Sequence, residues 1–303
     1  MSPATEVTYE RLNLHVDGVE LAVAVSYRSG NLAPILFLHG FGSTKEDYVD
    51  IAYDPAFAGR PFLAYDAPGC GETACEDLSQ ISIPFLVDTA RAVLQEVGID
   101  RFHFVGHSMG GLTALLLAHQ DPDRVLSFVD IEGNVAPEDC FLSRQVITHP
   151  SEDAQHFFES FIERTRRSPF FSSALYAANL RVKVQPEAVR GIFESMVDLS
   201  DHDDLMSKFL SLPFPRMFLY GEQNSRSHTY RRSRQKASSW PRSPRADTSR
   251  CTPTQSQCGN ASPTSKHTTT CTSHRRSGRC IGLASPIARC RPRHPCYAKT
   301  TGS

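Results

Sequence analysis

No stretch of this 303-residue chain approaches the ~18 uninterrupted apolar residues of a membrane span, so none is expected. Its first ten residues, MSPATEVTYE, have neither the basic start nor the apolar core of a secretory signal. No Cys-x-x-Cys occurs among the nine cysteines, which removes the usual zinc spacing. With these absences, a soluble, cytoplasmic protein with reduced thiols and no metal site is the expectation.

A second set of absences is local. Residues 225–303 contain no Phe, Met or Val, whereas all 18 Phe and all 5 Met precede them. The same segment carries 16 Lys and Arg against one acid, Asp247, while the first 224 residues carry 16 bases and 32 acids. The net charge of -1 therefore averages two opposite parts. So apolar-poor a segment cannot offset the entropy of ordering itself. Residues 225–303 are expected to be a basic, low-complexity, disordered tail. Nothing in the segment alternates basic and aromatic residues as a single-strand grip would, so no nucleic-acid partner is expected. Cys70, Cys75 and Cys140 stay with the globular part, and the other six cysteines lie in the tail.

The first 130 residues alternate two periodicities. RLNLHVD and VELAVAVSYR show period-two alternation, as antiparallel strands with one exposed face do. PILFLHG and PFLAYD are short continuous apolar runs ending at turn residues, the pattern of buried parallel strands. Between them STKEDYVDIA predicts a helix capped by Ser43 or Thr44. Phe85, Leu86, Val93, Leu94 and Val97 fall at helical spacing before Gly98. FHFVGHS then predicts a strand, LTALLLAHQ a helix and VLSFVDIEG a strand. This order implies a mostly parallel, doubly wound α/β sheet. From about 136 to 212 apolar residues recur only at helical intervals, which predicts an inserted helical layer. Arg216–Tyr220 restores one buried strand.

Gly106-His107-Ser108-Met109-Gly110-Gly111 lies directly between a predicted strand and a predicted helix. A tight turn there lifts the serine hydroxyl clear of the sheet, and Gly106 and Gly110 are required where larger side chains would collide. His39-Gly40-Phe41-Gly42 follows the strand ILFL. Acyl transfer builds negative charge on a carbonyl oxygen, and two backbone N–H groups must already face it. The N–H of Met109, opening a helix, and the N–H of Phe41 are the candidate donors. His39 reads as a turn residue rather than a base. His107 is expected to point away from Ser108.

HGFGST, YDAPGCGET and GHSMGG, in this order, resemble the α/β-hydrolase superfamily in its serine esterase-like branch. The resemblance covers about residues 8–224. It implies an α/β-hydrolase core with a helical cap at about 136–212, and a small-molecule ester or acyl substrate handled without any cofactor. It assigns the Asp66–Gly71 loop to pocket shape, so Asp66 and Cys70 take no catalytic part. A serine at the elbow argues against the epoxide-hydrolase and dehalogenase branches. C–C hydrolases, lactonases and cofactor-free haloperoxidases of the superfamily would use the same three roles. Pro169-Phe170-Phe171 suggests an apolar acyl or alcohol group under the cap, or simple packing within it.

The triad acid has two family locations. Asn224 stands where an aspartate is common at the later one, and an amide cannot stabilise imidazolium. Glu132 is therefore the leading candidate, with Glu222 second and Asp130 third. No catalytic histidine is identifiable. His228, His267, His274 and His294 follow neither a glycine nor an apolar strand, and a serine without a base is a weak nucleophile near neutral pH.

The tail has one further reading, translation out of frame. If each codon takes the last base of one residue and the first two of the next, synonymous codons for residues 245–262 spell SGHFPMYSNPVAMWERI. Residues 229–243, together with the last base of residue 228, similarly spell YLPTLA-x-KGVELAEI. Together these resemble the last strand, histidine loop and final helix of the superfamily. The frame would have been lost near residues 223–226. On this reading the intact parent is a serine hydrolase. The present chain is instead a catalytically dead binding or misfolded product, with a sheet edge left uncovered.

Overall fold

The computed structural model describes residues 6–145, 149, 153–168, 171–221 and 287–290. Strands β1 (Thr8–Val16) and β2 (Val19–Arg28) form an antiparallel hairpin. Its two-residue turn, Asp17-Gly18, has φ of 49° and 86°, the left-handed pair whose twist suits a hairpin.

The buried runs are strands as the apolar pattern predicts: β3 (Ile35–Leu38) and β4 (Phe62–Tyr65) are buried at every position. A short strand, β5 (Ala74–Cys75), pairs with β2. Helix α1 (Ile83–Glu96) begins where Ser82 Oγ accepts from the Phe85 N–H at 3.4 Å, and its buried face carries Phe85, Leu86, Val93 and Leu94. Strand β6 (Phe102–His107) leads through Ser108 into helix α2 (Met109–Gln120), apolar all round and buried along nearly its whole length. Strand β7 (Val125–Ile131) follows.

The interval after β7 is helical, as its spacing predicts. It holds α3 (Ala154–Arg166), α4 (Phe171–Lys183), α5 (Pro186–His202) and α6 (Leu205–Ser211). Phe157, Phe158, Phe161 and Ile162 of α3 and Ile192, Phe193 and Met196 of α5 are buried. Strand β8 (Arg216–Gly221) returns to the sheet, and β9 (Ile287–Cys290) pairs beyond it. The strand order is β1-β2-β4-β3-β6-β7-β8-β9, parallel from β4 onward. The chain thus has the mostly parallel α/β sheet expected of it, with its antiparallel hairpin at one edge.

Two expectations need correction. Residues 45–52 form 3-10 turns rather than an α-helix, and no side chain caps them. The Lys45 N–H is taken instead by Asp66 Oδ1 at 2.8 Å, and Ser43 Oγ turns to Asp47. The edge of β8, expected to be left uncovered, is paired instead: residues 287–290 form β9 along it, with Phe218 opposite Ile287.

Candidate active site

Ser108 sits at φ 50° and ψ -116°, between β6 and α2. A non-glycine residue held at positive φ costs of order 1–3 kcal/mol and marks a position the surroundings enforce. Its N–H donates to the Ile131 carbonyl at 2.9 Å, which pins the bend to the end of β7. The flanking glycines are sterically required. A Cβ on Gly106 would stand 2.6 Å from the Gly110 carbonyl oxygen, and one on Gly110 would stand 2.2 Å from that of Leu38. Those contacts also bring the first turn of α2 against the end of β3, where the second motif begins.

Ser108 is half-buried and lines a cavity of about 230 Å³ with Phe41, Glu132, Tyr176 and Phe193 among its walls. The Tyr176 hydroxyl donates to the Phe41 carbonyl at 3.1 Å, and the Phe41 and Phe193 ring centroids lie 4.6 Å apart. The loop carrying Phe41 is thus fixed from the helical layer. Its other anchor is His39, which is buried. Nε2 accepts the Ala67 N–H at 2.9 Å, so the ring proton belongs on Nδ1, which donates to the Gly40 carbonyl at 2.9 Å. Burial pushes the His39 pKa down and keeps it neutral. It is the turn residue its sequence position suggests.

Glu132 adopts φ 52°, and its N–H donates to the Leu219 carbonyl at 2.8 Å. It shares the cavity with Ser108. Asp130, two residues earlier, is fully buried. Oδ1 accepts the Gly133 N–H at 2.9 Å, while Oδ2 has no hydrogen-bond partner among the described residues. Burial pushes its pKa up to about 8, which favours the neutral acid. Glu222 and Asn224 lie outside the described residues, as do His228, His267, His274 and His294.

His107 is among the residues lining the cavity, and its ring covers Gly40 so closely that a Cβ there would stand 2.6 Å from Nδ1. The missing side chain of Gly40 makes the room. Burial pushes the His107 pKa down, against the weaker upward pull of Glu132 and Asp47. Among the described residues, no hydrogen bond joins a histidine to the Ser108 hydroxyl. Pro169 and Phe170 lie outside the described residues, as does the side chain of Phe171. The apolar walls seen are Phe41, Phe141, Leu142, Phe193 and Met196.

One group of carboxylates, Glu46, Asp66 and Glu72, has metal-like spacing. Lys45 Nζ already stands among them, at 2.6, 3.0 and 3.0 Å. Asp66 is thus a structural anchor, as the loop reading implied. The Cys70 thiol is fully buried and pushed up to about 12, so it stays protonated. Among the described residues, no helix is long and apolar enough to cross a membrane.

The family profile described as "alpha/beta hydrolase fold" matches residues 33–253, and the chain belongs to that family. It is an α/β hydrolase with esterases among its relatives. It is 27% identical over 211 residues to the pimeloyl-[acyl-carrier protein] methyl ester esterase of Aeromonas salmonicida, covering 65% of this chain and 80% of that one. It is 34% identical over 119 residues to Esterase Rv0045c of Mycobacterium tuberculosis, 38% of this chain and 39% of the relative. The chain spans only 29% of the dihydrolipoyllysine-residue acetyltransferase component of the acetoin cleaving system of Cupriavidus necator, at 34% identity. Among solved structures, N-acyl homoserine lactonase AidH complexed with N-butanoyl homoserine superposes with a TM-score of 0.54 at 20% identity. That match covers 71% of this chain and 78% of the other.

Proposed function

We propose that this chain carries the apparatus of a serine hydrolase for carboxylic esters or related acyl substrates, working through an acyl-enzyme. Ser108 Oγ attacks the acyl carbon. The N–H groups of Phe41 and Met109 hold the oxygen on which charge develops, Met109 doing so at the positive end of α2. Glu132 is the carboxylate that orients and stabilises the base. The carrying observation is the positive-φ bend at Ser108, which opens into a cavity shared with Phe41 and Glu132. The esterase relatives support the substrate class.

Base supply is a separate matter. The only histidine lining this cavity among the described residues is His107, adjacent to the nucleophile in sequence. Together with the shifted-frame reading of residues 225–303, this favours a chain with negligible turnover, descended from an active parent. Hydrolysis of p-nitrophenyl butyrate tests both readings. The present chain is expected to stay at background, and a frame-restored chain to turn over in a manner abolished by Ser108→Ala. Robust hydrolysis by the present chain, lost in Ser108→Ala, would refute the inactive reading. Hydrolysis that survives Ser108→Ala would refute the serine reading.

A further inference from the structure

Phe41 lies between two peptide planes that are anchored from different parts of the fold. In the first, the Gly40 carbonyl accepts from His39 Nδ1 at 2.9 Å and from the Ser43 N–H at 3.0 Å. In a trans peptide the N–H points opposite to the carbonyl, so the Phe41 N–H faces away from both anchors. Among the described residues no hydrogen bond takes up this N–H, although Phe41 is buried. A buried N–H without an acceptor is costly and rare, and Phe41 borders the cavity beside Ser108.

The second plane, between Phe41 and Gly42, is held from the helical layer. Its carbonyl accepts the Tyr176 hydroxyl at 3.1 Å, across 135 positions of sequence. Burial pushes the Tyr176 pKa up, so the hydroxyl keeps the proton it donates. Gly42, at φ 81°, makes room for the ring: a Cβ there would stand 2.7 Å from Tyr176 Cε2 and 2.9 Å from Leu180 Cδ2. Helix α4, which carries both side chains, is tied at its far end to the loop after β4. The Lys183 carbonyl accepts the Gly71 N–H at 2.8 Å, and just beyond the helix the Gln185 N–H donates to the Gly69 carbonyl at 2.9 Å. Lys183 Nζ adds an ion pair with Asp47 at 3.4 Å. A fixed support therefore presents the hydroxyl to the Phe41 carbonyl.

We propose that Tyr176 is a positioning residue for the oxyanion donor: by holding the peptide after Phe41, its hydroxyl sets the direction of the Phe41 N–H. The core anchors set one plane and the helical layer sets the other, which together fix both backbone angles of Phe41. The catalytic meaning of that N–H rests on the serine-hydrolase reading, whereas the ordering of the loop by Tyr176 does not. The two are tested separately.

The ordering is measured on the full chain as it stands, labelled with 15N-phenylalanine, the Phe41 amide being identified by its loss in Phe41→Leu. Tyr176→Phe, which removes the hydroxyl alone, is expected to lower the Phe41 order parameter by at least ~0.15 from the ~0.85 of rigid backbone. Gly42→Ala, whose methyl would displace the Tyr176 ring, is expected to do the same. A Phe41 amide that keeps its order in both variants would overturn the proposal. So would an equal loss at Phe157, Phe161 and Phe193, which would mark a general loosening of the helical layer. In the frame-restored chain, Tyr176→Phe is expected to lower kcat for p-nitrophenyl butyrate at least tenfold with KM within threefold, because a misdirected donor fails the oxyanion of the transition state and not the bound ester. A raised KM with unchanged kcat would overturn the proposal and make Tyr176 a wall of the cavity. A restored chain without Ser108-dependent turnover would sink the hydrolase reading, and the amide measurement would still decide the ordering.

Discussion

Lys45 Nζ lies 3.0 Å from Asp66 Oδ2, and both side chains are buried, at 2% and 0% exposure. The pair joins the segment following the Phe41 loop to the segment following β4. Asp66 Oδ1 also accepts the Lys45 N–H at 2.8 Å and Oδ2 the Glu72 N–H at 2.9 Å, so one carboxylate fixes both backbones. The Lys45 ammonium resists the desolvation that would lower its pKa, because Glu46, Asp66 and Glu72 surround it, and the net direction is upward. Removing one partner of a buried pair strands the other charge. Lys45→Met is expected to cost about 3–5 kcal/mol. Urea unfolding checks this, and the double variant Lys45→Met, Asp66→Asn is expected to lose less than the single one.

Gly110 makes a sharper test of the bend. In most helix positions Gly→Ala stabilises by roughly 0.5–1 kcal/mol. Here the new Cβ would meet the Leu38 and His39 carbonyl oxygens at 2.2 and 2.6 Å. Gly110→Ala is therefore expected to destabilise, by about 1–3 kcal/mol as overpacking does. A rise in the urea midpoint would show that α2 does not approach β3 so closely.

Asp130 gives a pH dependence with a definite sign. Its folded pKa of about 8 lies above the ordinary carboxylate value. Between that ordinary value, ~3.9, and pH 8 the folded state holds a proton that the unfolded state has released. Stability from this group is thus complete at low pH and is lost as pH rises, by at most ~1.4 kcal/mol per pH unit. Asp130→Asn mimics the neutral acid. Its stability is expected to decline less between pH 5 and pH 8 than that of the parent, as thermal unfolding at several pH values would reveal. Parallel profiles would contradict the assignment.

The parts legible from sequence were those governed by short-range patterns. Period two marked β1 and β2, unbroken apolar runs marked β3 and β4, and the glycines around Ser108 marked a bend that only glycine neighbours permit. The less legible parts depended on contacts across the fold. Residues 45–52 have acids placed for a helix start, yet a carboxylate 21 positions away captures the Lys45 N–H. The His107 ring lies against Gly40, distant in sequence, whose missing side chain leaves it space. Asp130 is fully buried and Glu132 is not, a difference that a strand-end position does not reveal. Strand β9 contains nothing that marks it as a strand, and its position follows from an available edge on β8.

The tail makes a prediction outside the protein. The gene's nucleotides for residues 245–262 are expected to spell SGHFPMYSNPVAMWERI when read from the last base of each codon. Reading that DNA checks it, and codons that fail to encode this histidine loop would end the out-of-frame account.

The central claim is that the bend at residue 108 presents an activated serine to waiting backbone amides. Labelling with a fluorophosphonate, followed by mass spectrometry of the peptides, tests it most directly. The frame-restored chain is expected to carry one adduct, on Ser108, that disappears in Ser108→Ala. A restored chain with an intact fold and no adduct at Ser108, or with the adduct on another residue, would contradict it.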